Sequence, residues 1–277
     1  MNQLSARLTA LSPSETLAMS QKSQELKAQG IDVINLSVGE PDFNTPNHIK
    51  EAAKKAIEDN FSFYSPVPGY PALRKAIVEK LKRENGLEYD VNQIVCSNGA
   101  KQSVCNVLMC VVGAGDEVII PAPYWVSYIE MVKLADGKSV IVEAGLDQDF
   151  KITPQQLEDA ITPKTKVLIL CSPSNPTGSV YTKEELAGLA KVLEKYPNVI
   201  VLADEIYEHI NYIGKHESIA QFESIRDRVV IVNGVSKGYA MTGWRLGWIA
   251  APQWIASACN KLQGQYTSGP CSITQKA

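Results

Sequence analysis

The feature that most constrains this chain of 277 residues is a regular alternation of short apolar runs with helical patterns. Short apolar runs bounded by turn residues are typical of buried strands, and the stretches between them have the spacing of amphipathic helices. Strands that alternate with helices form a mainly parallel sheet covered by helices on both faces. The sequence therefore predicts an α/β fold. The predicted strands are residues 31–36, 94–96, 117–120, 140–143, 166–171, 199–203 and 229–232.

Composition and charge argue against several classes of function. The hydrophobic fraction of 45% and the charged fraction of 21% are ordinary for a globular protein, and the net charge of −3 offers no basic surface to a nucleic acid. No apolar run is long enough to span a bilayer, and residues 1–30 lack the pattern of a signal peptide. The six cysteines include no Cys-x-x-Cys pair, which favours a reducing compartment. We therefore expect a cytoplasmic protein with no nucleic-acid or membrane partner.

The histidines give no indication of a metal site. His48, His209 and His216 show no ligand spacing with a cysteine or a carboxylate along the sequence. We therefore predict that the protein binds no metal.

The stretch at residues 229–248 places a lysine directly after a buried strand. Gly234 ends the apolar run, Ser236 and Lys237 follow it, and Arg245 lies eight positions further on. Burial lowers the pKa of a lysine and makes its amine a usable nucleophile, while a hydroxyl and a guanidinium suit a phosphate. Together these groups suggest pyridoxal 5′-phosphate, an aldehyde that carries a phosphate. A surface lysine and arginine on a loop fit the same residues equally well, so the choice depends on the rest of the chain.

Other predicted strands also end in glycine or polar residues. Gly99, Ala100 and Lys101 form a strand–turn–helix junction whose free N–H groups suit an anion, although many α/β proteins make this turn with nothing bound. Asn175 follows a strand between two prolines, and Asp204 closes the next strand. Ligands of parallel sheets bind beyond the carboxyl ends of the strands. We therefore expect these residues to share one site with the lysine.

The polar residues suit the chemistry of such a cofactor. A carboxylate keeps the pyridine nitrogen protonated, and Asp204 is placed for this, although a helix N-cap is the alternative. Tyr207 and the Asn175 amide could donate hydrogen bonds to the phenolic oxygen of the cofactor and so lower the pKa of its Schiff base. Lys237, once its amine is free, is the natural general base for a proton shift at the substrate Cα.

Two further residues admit a ligand-binding role beside a simpler one. Trp125 either packs in the core or offers a flat face on which an aromatic ring stacks. Gly39 either forms a turn or allows the backbone to approach a ligand closely.

Six ordered motifs make the chain similar to one known family. It resembles the fold-type-I pyridoxal-phosphate enzymes of the class I/II aminotransferase family, and among these the bacterial aspartate aminotransferases. The resemblance extends from about residue 4 to the last residue. The matching motifs are GEPDF at residues 39–43, Tyr64 with Gly69, residues 97–102, residues 172–178, residues 204–207, and SKGYAMTGWR at residues 236–245, together with PAPYWVSY from residue 121.

The resemblance implies a role for each matched residue. Lys237 corresponds to the Schiff-base lysine, Asp204 to the partner of the pyridine nitrogen, and Tyr207 and Asn175 to the donors to the phenolic oxygen. Trp125 corresponds to the residue stacked on the ring. The positions that match phosphate-binding residues are Gly99, Ala100, Lys101, Ser236 and Arg245.

The resemblance also implies contacts with the substrate and with a second subunit. Gly39 corresponds to a backbone contact with the substrate carboxylate, and Trp125 and Asn175 lie at the substrate as well. Tyr64 corresponds to a tyrosine that reaches the phosphate of the neighbouring subunit. We therefore expect a homodimer with shared active sites.

The implied activity is transfer of the amino group of an acidic amino acid, aspartate, to a 2-oxo acid, 2-oxoglutarate. Two alternatives stay open: another pyridoxal-phosphate reaction such as decarboxylation or elimination, and a catalytically impaired fragment that binds the cofactor. Residues 1–45 are expected to form an N-terminal arm and part of an incomplete smaller domain, and residues 46–277 the large cofactor-binding domain. The rest of the smaller domain, with the arginine that binds the substrate α-carboxylate, is expected to lie outside these residues.

Overall fold

The computed structural model describes residues 4–277, without the side chain of Leu17, and its centre is one β-sheet. Seven strands form this sheet within the described residues. They are β1 (Ile94–Ser97), β2 (Glu117–Ala122), β3 (Lys138–Glu143), β4 (Thr165–Cys171), β5 (Ile200–Asp204), β6 (Val229–Gly234) and β7 (Gly247–Ala250).

The strand order is β1-β7-β6-β5-β4-β2-β3. Strand β7 pairs antiparallel with both β1 and β6, and the remaining pairs are parallel. All the strands except β7 therefore end at the same edge of the sheet. The predicted α/β fold is confirmed, and the sheet is mixed because of the single antiparallel strand.

Helices lie on both faces of the sheet. They are α1 (Ala6–Thr9), α2 (Glu15–Ala28), α3 (Asn47–Glu58), α4 (Pro71–Lys80), α5 (Ala100–Val111), α6 (Ser127–Leu134), α7 (Pro154–Ala160), α8 (Lys183–Leu193), α9 (Gln253–Tyr266) and α10 (Ser272–Lys276). Thr153 and Thr182 begin α7 and α8 with capping boxes, in which each threonine hydroxyl accepts a hydrogen bond from a backbone N–H of the first turn.

The apolar side chains of the strands divide into two cores. Ile94 and Cys96 face one core with α4, α7 and α8, whereas Val95 between them faces the other core with α5, α6 and α9. This alternation follows from the period of two along a strand. Burial on both faces explains why the central strands are apolar throughout.

One predicted strand is wrong. Residues 31–36 form no strand in the described chain, and Ile34 and Leu36 are 84% and 91% exposed. The apolar pattern is present, but no neighbouring strand of the described residues supplies the ladder hydrogen bonds that a strand needs. Among the described residues, no helix combines the length and the apolar character required to cross a membrane.

Candidate active site

A cavity of about 590 Å³ opens at the edge where the parallel strands end. This volume is within the range of small-molecule sites. Every predicted site residue except Gly99 and Tyr64 lines the cavity. The parallel topology explains the convergence, because residues that follow β2, β4, β5 and β6 all emerge at one edge.

Lys237 extends into this cavity from the turn that follows β6. Its Nζ donates a hydrogen bond to the carbonyl oxygen of Gly39 and lies 5.6 Å from the centre of the Tyr207 ring. Burial lowers the pKa of Lys237; Glu40 and Asp204 oppose this change, and Arg245 adds to it by repulsion. A lysine with a lowered pKa offers more neutral amine near neutral pH than a surface lysine does.

Asp204 closes β5 as a buried carboxylate. Its Oδ2 accepts a hydrogen bond from the hydroxyl of Tyr128 at 2.6 Å, and its Oδ1 accepts one from the N–H of Ile206 at 3.3 Å. Burial raises the pKa of Asp204 despite these donors. The backbone contact resembles a cap, but the chain continues in turns and not in a helix, so the N-cap alternative does not account for the residue.

Tyr128 is a site residue that the sequence alone did not identify. It lies in the first turn of α6, is 1% exposed, and packs edge-on against Trp125 with the ring centres 5.4 Å apart. Tyr128 lies in the same sequence motif as Trp125, and this is the feature of the sequence that could have identified it. The contact with Asp204 spans two elements and has no pattern along the chain.

Tyr207 and Asn175 are brought together as a pair. The Asn175 amide donates to the Tyr207 hydroxyl at 3.2 Å, and both side chains line the cavity. Burial, with a contribution from Cys171 and Asp204, raises the pKa of Tyr207 to about 12. Tyr207 is therefore protonated at neutral pH and has a hydroxyl proton to donate.

Positive charge gathers where β1 meets α5. Arg245 donates to the carbonyl oxygens of Thr242 at 2.7 Å and Asn98 at 3.2 Å. Burial lowers the pKa of Lys101, and repulsion from Arg245 lowers it further. Two cations beside the start of a helix form a site for an anion with more than one negative charge.

Glycines allow the backbone to approach closely where Arg245 meets the start of α5. Gly99 has a φ of 87°, and a Cβ added there would lie 2.3 Å from Arg245 Nη2. A Cβ on Gly247 would lie 2.2 Å from the backbone nitrogen of Ala100. Strand β7 thus brings Arg245 against the helix start, and only glycine permits the approach.

Trp125 and Gly39 both line the cavity. Lys101 Nζ lies 5.1 Å from the centre of the Trp125 ring. Gly39 is held near Lys237 because its neighbour Glu40 accepts a hydrogen bond from the Thr242 hydroxyl at 2.7 Å.

Ser236 and Tyr64 complete the predicted set. Ser236 is buried and lines the cavity. Tyr64 is 96% exposed and does not line the cavity, so within this chain the structure does not bring it to the other site residues.

A separate polar cluster lies outside the cavity. His216 Nε2 is 3.0 Å from Glu205 Oε2, and Glu208 accepts hydrogen bonds from Lys80 and Asn85. Two groups have ligand atoms close enough to share an ion, but the Lys80 ammonium already faces Glu208. The fold brings the members of each group together from separate parts of the chain, so the spacing of these residues along the sequence did not indicate them. That the protein binds no metal stays a prediction. The two groups are Glu84, Glu208 and His209, and Glu205, Glu208 and His216.

The chain is similar to known proteins over its whole length. It is 51% identical over 279 residues to a probable aspartate/prephenate aminotransferase from Rickettsia bellii, covering 100% of this chain and 70% of that protein. It is 49% identical over 276 residues to an aspartate/prephenate aminotransferase from Nitrosomonas europaea, covering 99% and 70%. Among solved structures, the aspartate aminotransferase of Rhizobium meliloti superposes with a TM-score of 0.96 at 42% identity, covering 100% of this chain and 70% of that one.

The family itself is recognised directly. The profile described as aminotransferase class I and II matches residues 31–277. A second solved structure, an aspartate aminotransferase of Thermus thermophilus with maleate, superposes with a TM-score of 0.96 at 42% identity and covers 100% of this chain and 72% of that one. The resemblance found in the motifs is thus confirmed, and the chain belongs to the class I and II aminotransferase family.

Proposed function

We propose that this protein transfers the amino group of aspartate to 2-oxoglutarate with pyridoxal 5′-phosphate bound in the cavity. The observation that carries the proposal is the placement of Lys237, with its lowered pKa, in one cavity with a buried carboxylate and a pair of cations. Relatives with about half of their residues identical to this chain are named aspartate/prephenate aminotransferases.

The cavity fits the groups of this cofactor. Its phosphate suits the anion site of Lys101 and Arg245, where Gly99 and Ala100 open the helix start and Ser236 adds a hydroxyl. Trp125 would cover the ring. When bound, the cofactor supplies an aldehyde for the amine and a ring that accepts the electrons released at the substrate Cα.

Asp204 would face the pyridine nitrogen of the cofactor and favour its protonated form. Burial raises the pKa of Asp204 although Lys237 lies close enough to lower it, so a pyridinium placed directly against the carboxylate would favour its charged form. Tyr128 keeps Asp204 in position through its 2.6 Å hydrogen bond. Tyr207, which accepts a hydrogen bond from Asn175, would donate a hydrogen bond to the phenolic oxygen of the ring.

Lys237 has two tasks in this account. Its amine would bind the cofactor covalently, and as a free amine Lys237 would act as the general base that moves a proton at the substrate Cα. A lowered pKa serves both tasks because the amine must be neutral to act as a nucleophile and as a base. Gly39, whose backbone lies next to Lys237 Nζ, Trp125 and Asn175 would contact the substrate.

The complete site needs a second subunit in this proposal. Tyr64, which does not line the cavity of its own chain, would reach the phosphate in the partner of a homodimer. Residues 1–45 would form the N-terminal arm with part of the smaller domain, and residues 46–277 the large domain. The six free cysteines support a cytoplasmic location.

Product analysis tests the proposed reaction. With pyridoxal 5′-phosphate, aspartate and 2-oxoglutarate, the protein should form glutamate and oxaloacetate in equal amounts, and the Lys237→Ala variant should form neither. Release of carbon dioxide or ammonia without glutamate would instead identify a decarboxylase or a lyase. Because the relatives' names also contain prephenate, itself a 2-oxo acid, the same assay with prephenate measures acceptor preference.

A further inference from the structure

Helices α5 and α9 pack against each other with a regular cross-helix register. The Gln102 amide donates to the Thr267 hydroxyl at 2.7 Å, and the Asn106 amide donates to the Gln263 side-chain oxygen at 3.0 Å. The second pair lies four residues further along α5 than the first, and four residues before Thr267, the residue that follows α9. Since residues four apart lie on one face of a helix, the pairs form an antiparallel ladder.

The next step of this ladder pairs two cysteines. Four residues beyond Asn106 is Cys110, and four residues before Gln263 is Cys259. Both side chains belong to the same hydrophobic core, where Cys259 is fully buried and Cys110 is partly accessible. The geometry of the helix pair thus sets one accessible thiol beside one buried thiol.

We propose that Cys110 and Cys259 form a redox-active dithiol that closes to a disulfide between α5 and α9 by exchange with a small disulfide such as oxidised glutathione. The thiolate of Cys110 attacks one sulfur of the small disulfide, so that a mixed disulfide forms and one thiol leaves. Cys259 then loses its proton and attacks the Cys110 sulfur, and the second thiol leaves. The protein loses two hydrogens, and the small disulfide is reduced to two thiols.

The protonation of the pair supports this order of attack. Interaction with the Cys259 thiol lowers the pKa of Cys110, and the same interaction, together with burial, raises the pKa of Cys259. Cys110 is therefore the thiol that ionises first, and it is also the accessible one.

The other cysteines lack this arrangement. Burial raises the pKa of Cys96 and of Cys171 to about 12, and burial also raises the pKa of Cys105, whose Sγ contacts Met109. Cys271 is exposed, and hydrogen bonds with Thr274 lower its pKa against the effect of burial. It can take a mixed disulfide but lies outside the ladder, so it serves as an internal control.

This inference goes beyond the proposed transfer reaction and does not depend on it. Neither Cys110 nor Cys259 lines the cavity. The crosslink would join α5, whose first turn borders the anion site, to α9 without occupying that site. The oxidised protein should therefore still bind pyridoxal 5′-phosphate and should unfold at a higher temperature than the reduced protein, because the crosslink constrains the unfolded chain.

The test is peptide mapping after exposure to oxidised glutathione. The cofactor-loaded protein is incubated, free thiols are alkylated, and the protein is digested without reduction. We expect one crosslinked peptide pair containing Cys110 and Cys259, two hydrogens lighter than the two thiol peptides. In Cys259→Ser the glutathione adduct should remain on Cys110, and in Cys110→Ser the residue Cys259 should stay unmodified.

The wild-type result alone can overturn the proposal, so it does not depend on how the variants fold. A persistent glutathione adduct on Cys110, or an unreacted Cys110 when Cys271 is fully modified, would show that the two thiols do not exchange. If Cys259→Ser folds poorly, Cys259→Ala provides the same trapped adduct with a smaller polarity change at the buried position.

Discussion

Asp204 is a single buried residue whose proposed role in the reaction comes at the expense of stability. Its carboxylate ends β5 with Tyr128 as the side-chain donor, and burial raises its pKa. The folded chain thus binds a proton at Asp204 more tightly than the unfolded chain does. Stability falls as pH rises from the unfolded pKa of aspartate through the folded pKa, and the loss is complete above the folded pKa.

The Asp204→Asn variant should separate these two effects. An amide cannot keep the pyridine nitrogen protonated, so kcat should fall by about 100-fold, a loss of the size of about 2–4 kcal/mol expected for a charge-assisted contact. The uncharged amide also removes the burial penalty, so the cofactor-free variant should melt at a higher temperature at pH 7. The measurements are steady-state kinetics and thermal unfolding as a function of pH.

The pH profile provides the internal check on Asp204→Asn. The gain in melting temperature should shrink as pH falls towards the unfolded pKa, where aspartic acid is neutral in both states. Asp59→Asn is a matched control, because Asp59 is exposed and forms a surface ion pair with Lys55. Wild-type turnover in Asp204→Asn would show that Asp204 merely caps the turn after β5.

At the scale of elements, the proposed anion site depends on the close approach of three backbone segments. Strand β1 ends at Ser97, α5 begins at Ala100, and β7 begins at Gly247. Gly99 lies so close to Arg245 that an added Cβ would overlap the guanidinium. Any side chain at Gly99 must therefore displace Arg245 from the anion site.

Gly99→Ala should weaken cofactor binding by at least about tenfold, since one displaced charge-assisted contact is worth about 1.5 kcal/mol or more. Gly115→Ala is the matched control: Gly115 has a φ of 92°, close to the 87° of Gly99, but an added Cβ meets nothing within 4 Å. Both variants should lose stability through backbone strain. Equal cofactor affinities in the two variants, measured by titration, would contradict the account.

Elements that bury both faces are the ones that sequence pattern predicts well. The predicted strands at residues 94–96, 166–171 and 229–232 match β1, β4 and β6 to within two residues, because each is apolar and bounded by turn residues. Strand β7 was not predicted, since its Gly-Trp-Ile-Ala sequence is short and follows glycines and an arginine typical of a loop.

The pattern of apolar residues along the sequence does not show which elements contact one another. Residues 31–36 have the apolar pattern of a strand but no partner strand in the described residues. The apolar pattern of one segment does not show whether another strand pairs with it. The residues that follow strands were placed correctly at one edge because parallel topology determines that edge. Tyr128 was missed because its partner Asp204 is distant in sequence.

At the scale of the whole molecule, the exposed Tyr64 is the residue through which the proposed site depends on a second subunit. Tyr64 is 96% exposed in this chain. The segment around it contains Pro66, Pro68 and Pro71, which restrict its backbone. In the proposed homodimer this segment would carry Tyr64 to the partner's phosphate.

Mixing two inactive variants tests this exchange between subunits. In a heterodimer of Tyr64→Ala and Lys237→Ala, one site carries both defects and the other carries none. After subunit exchange the mixture should regain about a quarter of wild-type activity, because half of the dimers are mixed and each has one intact site. Activity no greater than the sum of the separate variants would place Tyr64 outside the partner's site.

The proposed function depends above all on Lys237 as the residue that holds the cofactor covalently. The most direct measurement is reduction of the cofactor-loaded protein with borohydride, followed by peptide mapping. We expect one pyridoxyl group for each chain, attached to Lys237, and none in Lys237→Ala. Attachment to Lys101, the other lysine that lines the cavity, would contradict the account.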